Sequence, residues 1–438
     1  MFRYLILGAA FLLAACTDQP WNDPYPAAEF RENVLYAAFP ARPKHLDPAQ
    51  SYSSNEIVFT GQIYEPPLQY HYLERPYRLI PLTAEAVPQP RYLDREEREL
   101  PPDAPADQIA YSVYEIRIKP GIYYQPHPAF ARTAEGRFLY HVLGPDDLKD
   151  VYTLADFPQT GTRELVAADY VFQIKRLADP RIHSPILGLM SEYIVGLKEL
   201  ADTLQQAYAD LRRAEPDARF LDLTRFDLVG VELVDRYTYR IKVYGRYPQL
   251  LYWLAMPFFA PVPPEADRFY SQPGMAERNL TLDWYPVGTG PFMLTVNNPN
   301  RQMVLERNPN FHGESYPSEG EEGDAERGLL ADAGKPLPFI DKAVYSLEQE
   351  SIPYWNKFLQ GYYDSSAIGA DSFDQAIRIG SQGEMALTEA MEAKGIKLET
   401  AVMATTMYLG FNMLDPVVGG YSERARKLRQ AISIAIDY

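Results

Sequence analysis

The sequence contains a single cysteine in 438 residues, at position 16. A disulfide framework and a thiolate zinc site both need at least a second sulfur, so both are excluded. The histidines are few and scattered, and no two have the spacing of a metal-binding helix face. We therefore predict neither a metal site nor a cofactor.

Motifs for catalysis and nucleotide binding are lacking as well. The sequence has no GxSxG elbow, HExxH pair, phosphate-binding P-loop or GxGxxG fingerprint. These absences favour a binding protein over an enzyme. A serine or paired-carboxylate hydrolase stays open, because pairing in space is not visible in a sequence.

Positively charged residues are outnumbered by negatively charged ones. There are 42 Lys and Arg residues against 59 Asp and Glu, a net charge of −17, and no run is rich in Lys or Arg. This balance repels phosphate and disfavours nucleic acid as a partner. The 46% of hydrophobic residues predict a globular protein of two to four domains.

Tyrosine and proline are abundant, with 33 and 38 residues. Two interpretations are open. The rings could line proline-punctuated loops, where they pack on one side and form hydrogen bonds on the other, or they could belong to ordinary tyrosine-rich strands.

The first 15 residues read as a secretory signal. Arg3 supplies the positive start, and the apolar run at 5–13 is too short to span a bilayer. Leu13-Ala14-Ala15-Cys16 resembles the bacterial lipobox, in which Cys16 becomes the lipidated first residue. The alternative is a plain signal peptide with an accidental cysteine. We expect an exported, lipid-anchored protein of the periplasm or cell envelope, with 16–26 as a tether.

Hydrophobic patterns predict several elements along the chain. The predicted strands are 34–39, 111–118 and a hairpin at 229–243 around Asp235-Arg236. The predicted helices are a segment within 56–69, 168–178, and a C-terminal helix capped by Ser422. The acidic stretch 314–335 is predicted to be a loop.

Four separated segments resemble the family 5 solute-binding proteins of bacterial ABC importers. They are Leu46-Asp47-Pro48 with 63–68, 167–176, 286–292 with 305–309, and 410–412 with 429–437. Each segment alone is weak evidence for the family, but the order and spacing of all four are specific to it. The long stretch 126–166 departs from the family pattern, and the family's chains continue beyond the helix at 429–437.

The resemblance implies an α/β fold with two lobes that close on ligand by hinge motion. The first lobe would comprise 27–64 and 226–368, whose strands would share one sheet. Residues 65–225 would be an inserted third domain. Residues 369–438 would begin a truncated, incomplete second lobe, which we expect to be poorly packed and to impair ligand affinity.

The resemblance also implies a substrate-binding site. Seven residues are candidates for it: Tyr52, Ser53, Ser54, Gly288, Thr289, Gly290 and Asn412. Each has a structural alternative. Residues 52–54 could be a plain surface loop, 288–290 a tight turn beneath the hinge, and Asn412 a residue that ends a strand.

The lipobox and the family resemblance together imply a monomeric lipoprotein that captures a peptide or other small solute. The resemblance implies that it delivers the solute to an ABC permease with ATPase subunits. The main alternative is a lipid-anchored exported hydrolase, which would need a converging acid and base. A structural lipoprotein of the cell surface, with neither binding nor turnover, is a third possibility.

Overall fold

The computed structural model describes residues 24–25, 32–381, 383–400 and 405–436. The chain divides into two compact units, one ending at Gly369 and one beginning at Ala370. The strands are β1 Val34–Phe39, β2 Leu68–Tyr70, β3 Leu79–Pro81, β4 Pro90–Leu93, β5 Glu99–Leu100, β6 Tyr111–Arg117, β7 Val231–Leu233, β8 Thr238–Tyr244, β9 Phe292–Asn298, β10 Gln302–Arg307, β11 Glu314–Ser315, β12 Pro336–Leu337, β13 Lys342–Leu347, β14 Ile377–Ile379 and β15 Met385–Leu387.

The helices range from single turns to the 18 residues of the longest one, Leu197–Ala214. They are α1 Ser54–Ile63, α2 Ala167–Arg176, α3 Leu187–Tyr193, α4 Leu197–Ala214, α5 Leu250–Trp253, α6 Pro264–Tyr270, α7 Ser351–Leu359, α8 Phe373–Ala376, α9 Glu389–Glu392 and α10 Glu423–Ala435. Single turns of 3-10 helix lie at Pro128–Phe130, Pro145–Leu148, Leu154–Asp156, Leu223–Arg225, Pro257–Phe259, Ala276–Arg278 and Ala370–Ser372.

A four-stranded sheet in the first unit has the order β1-β13-β10-β9. β1 and β13 are parallel, with Phe39 opposite Leu347, and the other pairs are antiparallel. Strands 34–39 and 292–298 therefore share one sheet, as expected from the sequence. Met303 and Leu305 of β10 belong to the main hydrophobic core and mark the core face of this sheet.

A five-stranded antiparallel sheet has the order β5-β4-β6-β8-β7. The hairpin predicted at 229–243 is confirmed as β7 and β8. The expectation that the strands of 27–64 and 226–368 share one sheet is wrong, because β8 pairs with β6, with Tyr114 opposite Ile241. The strands of 226–368 are thus split among three sheets: β7 and β8 lie in this one, β9, β10 and β13 lie in the four-stranded sheet, and β11 and β12 form a separate pair.

Both sheets border one continuous hydrophobic core, which includes Phe39 and Leu305 from one sheet and Tyr114 and Ile241 from the other. Helix α2 lies over β8, where the rings of Tyr170 and Tyr239 stack with centroids 5.4 Å apart. Because both sheets share this core, residue 225 does not separate two independently packed parts of the first unit.

The 126–166 stretch is packed into this core rather than looping freely. His127 forms an isolated bridge with Gly161, and its side chain is buried. Nδ1 accepts from the Ala129 amide at 3.1 Å, and Nε2 lies 2.8 Å from the Tyr270 hydroxyl. That hydroxyl donates to the Tyr285 carbonyl, so Nε2 of the neutral ring carries the proton. Burial lowers the pKa of His127 to about 3.

Replacing His127 with glutamine should flatten the pH dependence of stability. The unfolded chain takes up a proton near the ordinary histidine pKa of ~6.5, whereas the folded chain does not until about pH 3. Stability from this group is therefore complete above pH 6.5 and falls on acidification, by about 2 kcal/mol between pH 7 and 5. Urea unfolding of both proteins at the two pH values measures the difference, which isolates His127 because all other titrating groups are shared. Equal pH dependence in the two proteins would contradict the assignment.

The second unit is small. β14 and β15 form a hairpin, with Ile377 opposite Leu387. Helix α10 begins as predicted, because the Ser422 hydroxyl accepts from the Ala425 amide at 3.2 Å. Ala425 is the buried residue of this helix, while Ile434 is exposed.

Candidate ligand-binding surface

The loop between β1 and α1 is held by one buried carboxylate, that of Glu56, which is 2% exposed. Oε1 accepts from the amides of Lys44 and His45, both at 3.0 Å. Oε2 accepts from Tyr52 at 2.9 Å and Ser53 at 3.1 Å. Burial raises the pKa of Glu56, but these backbone donors outweigh it and hold the pKa below its ordinary value. The loop is therefore positioned through its main chain.

This loop presents the first three predicted site residues together. Tyr52 is 72% exposed, and its ring centroid lies 6.1 Å from that of buried Phe258. Ser53 precedes α1 and Ser54 begins it, and both are exposed. One apolar ring and two hydroxyls thus face solvent side by side.

Exposed tyrosines continue from a second segment. The ring of Tyr70 lies 5.6 Å from Tyr77 and 6.4 Å from Tyr252, and all three are exposed. The Leu68 amide donates to the Leu254 carbonyl at 3.0 Å and holds the two segments together. Such rings offer flat apolar faces with a polar edge to a ligand.

Trp253 links the two groups of rings, since it follows Tyr252 in α5 and its ring lies 6.4 Å from Phe258. We call the exposed rings of Tyr52, Tyr70, Tyr77 and Tyr252, together with half-buried Trp253, the aromatic surface, and buried Phe258 contacts both Tyr52 and Trp253. Sequence reasoning found only Tyr52 among them. The excess of tyrosine was the available signal, but it does not say which rings meet.

Residues Gly288, Thr289 and Gly290 lie in the interior, against the last turn of α1. The Gly290 amide donates to the Ile63 carbonyl at 2.9 Å. The Gly288 amide donates to Oε1 of Gln125 at 3.2 Å. Thr289 is fully buried, and its hydroxyl has no partner within the described part of the chain.

This segment is a packing turn, which is the structural alternative considered for it. A Cβ on Gly288 would lie 1.9 Å from the Ile63 oxygen, so only glycine fits there. Helix α1 has 10 residues and spans roughly 15 Å, with Ser53 at its start and this turn at its end. The structure therefore does not bring the two predicted parts of the site together.

Asn412 belongs to the second unit, and its side chain is exposed. Its Oδ1 accepts from the Leu414 amide at 3.0 Å, which closes a local turn. This contact favours the structural role for Asn412. Cys16, the predicted lipidation site, lies outside the described residues.

A buried ion pair ties the loop to α2. Both Asp47 and Arg176 are almost fully buried, and their side chains meet through two hydrogen bonds of 2.6 and 2.9 Å. The Asp47 amide also donates to Asp283, whose pKa is raised by burial and by the Asp47 charge. The two halves of the pair come from separate segments of the family resemblance, 46–48 and 167–176.

Two kinds of feature are absent from the described ranges. No group of three or more His, Cys, Asp or Glu side chains there is arranged to hold a metal ion. No helix there combines the length and apolar character needed to cross a membrane.

Solved structures of several peptide-binding proteins are similar to this chain. They include DppA from Helicobacter pylori in complex with the peptide STSA, with 18% identity, 77% of this chain and 47% of that chain covered, and a TM-score of 0.44. Listeria monocytogenes OppA bound to peptide has 14% identity, coverages of 78% and 48%, and a TM-score of 0.47. The murein tripeptide binding protein MppA of Escherichia coli has 15% identity, coverages of 76% and 45%, and a TM-score of 0.44.

This chain spans about half the length of these structures. No curated protein matches it. The family described as bacterial extracellular solute-binding proteins, family 5 Middle, matches residues 159–438. Because this match covers well over half of the sequence, the chain belongs to family 5 of the bacterial extracellular solute-binding proteins.

Proposed function

We propose that this chain is the solute-capturing component of a bacterial ABC importer and that its solute is peptide-like. Membership of the solute-binding family over residues 159–438 is the observation that carries the proposal. In this role the protein binds its solute, releases it to a membrane permease that works with ATPase subunits, and performs no reaction on it.

The aromatic surface supports a peptide-like solute. Tyrosine rings can cover peptide planes and apolar side chains, and their hydroxyl groups can bond to main-chain amides and carbonyls. Tyr52 stands out, because its backbone is held by Glu56 while its ring stays mostly exposed. A preorganised aromatic residue of this kind is typical of an energetic anchor.

The proposal keeps residues 369–438 as the beginning of a second lobe and places 27–368 together in the first lobe, because β8 completes the sheet of β6 and no boundary falls at 225. Ligand would be enclosed by closure of the lobes. It also includes export, cleavage before Cys16 and lipid attachment there. In a bacterial host, Cys16→Ser should move the protein from the membrane fraction to the soluble fraction, and an unchanged membrane fraction would argue against the anchor.

Peptide binding should depend on Tyr52. Thermal unfolding of the whole chain with a library of short peptides identifies ligands, since a ligand that binds the folded state stabilises it. Tyr52→Ala should weaken the affinity for the tightest-binding peptide by about tenfold or more. This is the size expected for an aromatic side chain that the ligand covers on binding. Tyr152→Ala is the matched control, because Tyr152 is also exposed, at 70%, but lies outside the aromatic surface.

Mass spectrometry of the same mixtures separates the two function classes. Intact peptide after prolonged incubation is the result expected of a binding protein. Cleaved peptide would support the lipid-anchored hydrolase instead. Equal affinities in the native chain and in Tyr52→Ala would remove the aromatic surface from the proposal.

A further inference from the structure

A cavity of about 520 Å³ lies between α2 and the segment that leads into β7. It is lined by Ala168, Val171, Phe172, Lys175, Thr224, Asp227, Leu228, Val229, Val231, Glu232, Leu233 and Pro264. None of these residues belongs to the aromatic surface. Most of the lining is apolar, with one basic side chain, that of Lys175.

Lys175 is an exception among the charged residues of α2. It is 9% exposed, and its ammonium group has no hydrogen bond or ion pair with any of the described residues. Its neighbours on the helix are paired, Asp169 with Arg163 and Arg176 with Asp47. The Nζ atom itself keeps contact with solvent, so the ammonium group is hydrated in the unliganded protein, and a negatively charged group in the cavity would add an ion pair at Nζ.

The nearby acidic residues do not fill this role. Asp222 accepts hydrogen bonds from the amide and hydroxyl of Thr224, and Glu232 is paired with Arg240. Asp227 is exposed at the rim. Burial lowers the pKa of Lys175, and the negative charges of Asp227 and Asp222 oppose this shift without forming an ion pair with Nζ. The ammonium group is thus left open toward the cavity.

The apolar walls of the cavity indicate that the part of the ligand beyond its charged head group is also apolar. Phe172 and Leu228 are buried beside Lys175, whereas Val229 and Leu233 are exposed at the opening. An apolar chain could run from Lys175 to this rim and cover both exposed side chains. A head group with a single negative charge suits the site better than a multiply charged one, because Asp227 and Glu232 lie at the cavity.

We propose that this cavity binds a medium-chain fatty acid, with its carboxylate on Nζ of Lys175 and its hydrocarbon chain against Phe172, Leu228 and Leu233. The volume falls in the range typical of small-molecule sites, ~300 to 1,000 Å³. This site is separate from the one under the proposed function and does not depend on it.

Calorimetry with decanoate, decanol and decyltrimethylammonium, all below their micelle concentrations, tests the proposal on the whole chain. Decanoate should bind more tightly than decanol, and decyltrimethylammonium should bind least. Lys175→Met should weaken decanoate by about 10- to 100-fold, the effect of losing a hydrogen bond to a charged group, and leave decanol nearly unchanged. Leu233→Ala should weaken both.

Lys198→Met is the matched control, since it removes the same charge from an exposed side chain that pairs with Asp202 on α4. It should not change decanoate binding. Equal affinity for decanoate and decanol, or decanoate binding unaltered by Lys175→Met, would overturn the proposal.

A second readout needs no variant. Decanoate labelled with ¹³C at the carboxyl group should, when bound, stay ionised to a lower pH than free decanoate, because the ammonium group stabilises its charge. A bound carboxyl group that titrates like the free acid would overturn the proposal even if the variants fail to fold. Peptide binding at the aromatic surface should be the same with and without decanoate.

Discussion

Gly288→Ala should leave the first unit unable to fold stably. The added Cβ would lie 1.9 Å from the Ile63 carbonyl oxygen and 2.7 Å from its carbon. These are backbone atoms at the end of α1, and the same oxygen accepts from the Gly290 amide, so they cannot move aside without breaking that contact. We expect a loss of at least about 3 kcal/mol, a large part of the ~5 to 15 kcal/mol that stabilises a typical domain.

Urea unfolding of the purified variant, or its yield as soluble protein if it does not fold, measures this loss. Gly188→Ala is the matched control. Gly188 lies in helix α3, an added Cβ there meets nothing within 4 Å, and stability should be unchanged or slightly higher. If Gly288→Ala unfolds at the same urea concentration as the native chain, the close approach to Ile63 is wrong.

Arg176→Met should destabilise the first unit by about 3 to 5 kcal/mol, the usual cost of leaving one partner of a buried ion pair alone. Arg176 donates to both oxygens of Asp47 and to Oε1 of Gln173. Burial alone would lower the pKa of Arg176. The charge and hydrogen bonds of Asp47 outweigh this effect, so the pKa lies above its ordinary value. Methionine would leave the Asp47 carboxylate buried without its counter-charge.

Adding Asp47→Asn to Arg176→Met should recover part of the lost stability, because asparagine carries no charge that would need a partner. The hydrogen bond that the Ala49 amide donates to Oδ1 of residue 47 can remain. Urea unfolding of the native chain, the single variants and the double variant gives the coupling between the two positions. Arg213→Met, at an exposed ion pair with Asp210, should have little effect. A double variant less stable than Arg176→Met alone would contradict this account.

Local elements were predictable from the sequence because their signals are local. The alternation at 229–243 and the turn residues Asp235-Arg236 predicted the hairpin, and Ser422 predicted the start of α10. Proline at 66 and 67 correctly predicted an early end for α1. Each of these signals lies within a few residues of the structure it specifies.

Partners distant in the chain were not predictable in the same way. Nothing near β8 says that it pairs with β6 more than a hundred residues earlier, so the grouping of strands was wrong. The glycines at 288 and 290 correctly indicated a close approach, but the sequence does not say that Ile63 is the neighbour. The unpaired state of Lys175 and the meeting of Tyr70 with Tyr252 are likewise properties of the folded chain alone.

The way in which Glu56 holds its loop has a consequence for how the surface can diversify. Its carboxylate recognises amide groups at 44, 45, 52 and 53, and every residue type except proline carries such a group. The path of the loop is therefore largely independent of the side chains it displays. Tyr52 can therefore be exchanged for other residues on an unchanged scaffold as long as Glu56 is retained, and under the proposed function such exchanges would change the solute preference.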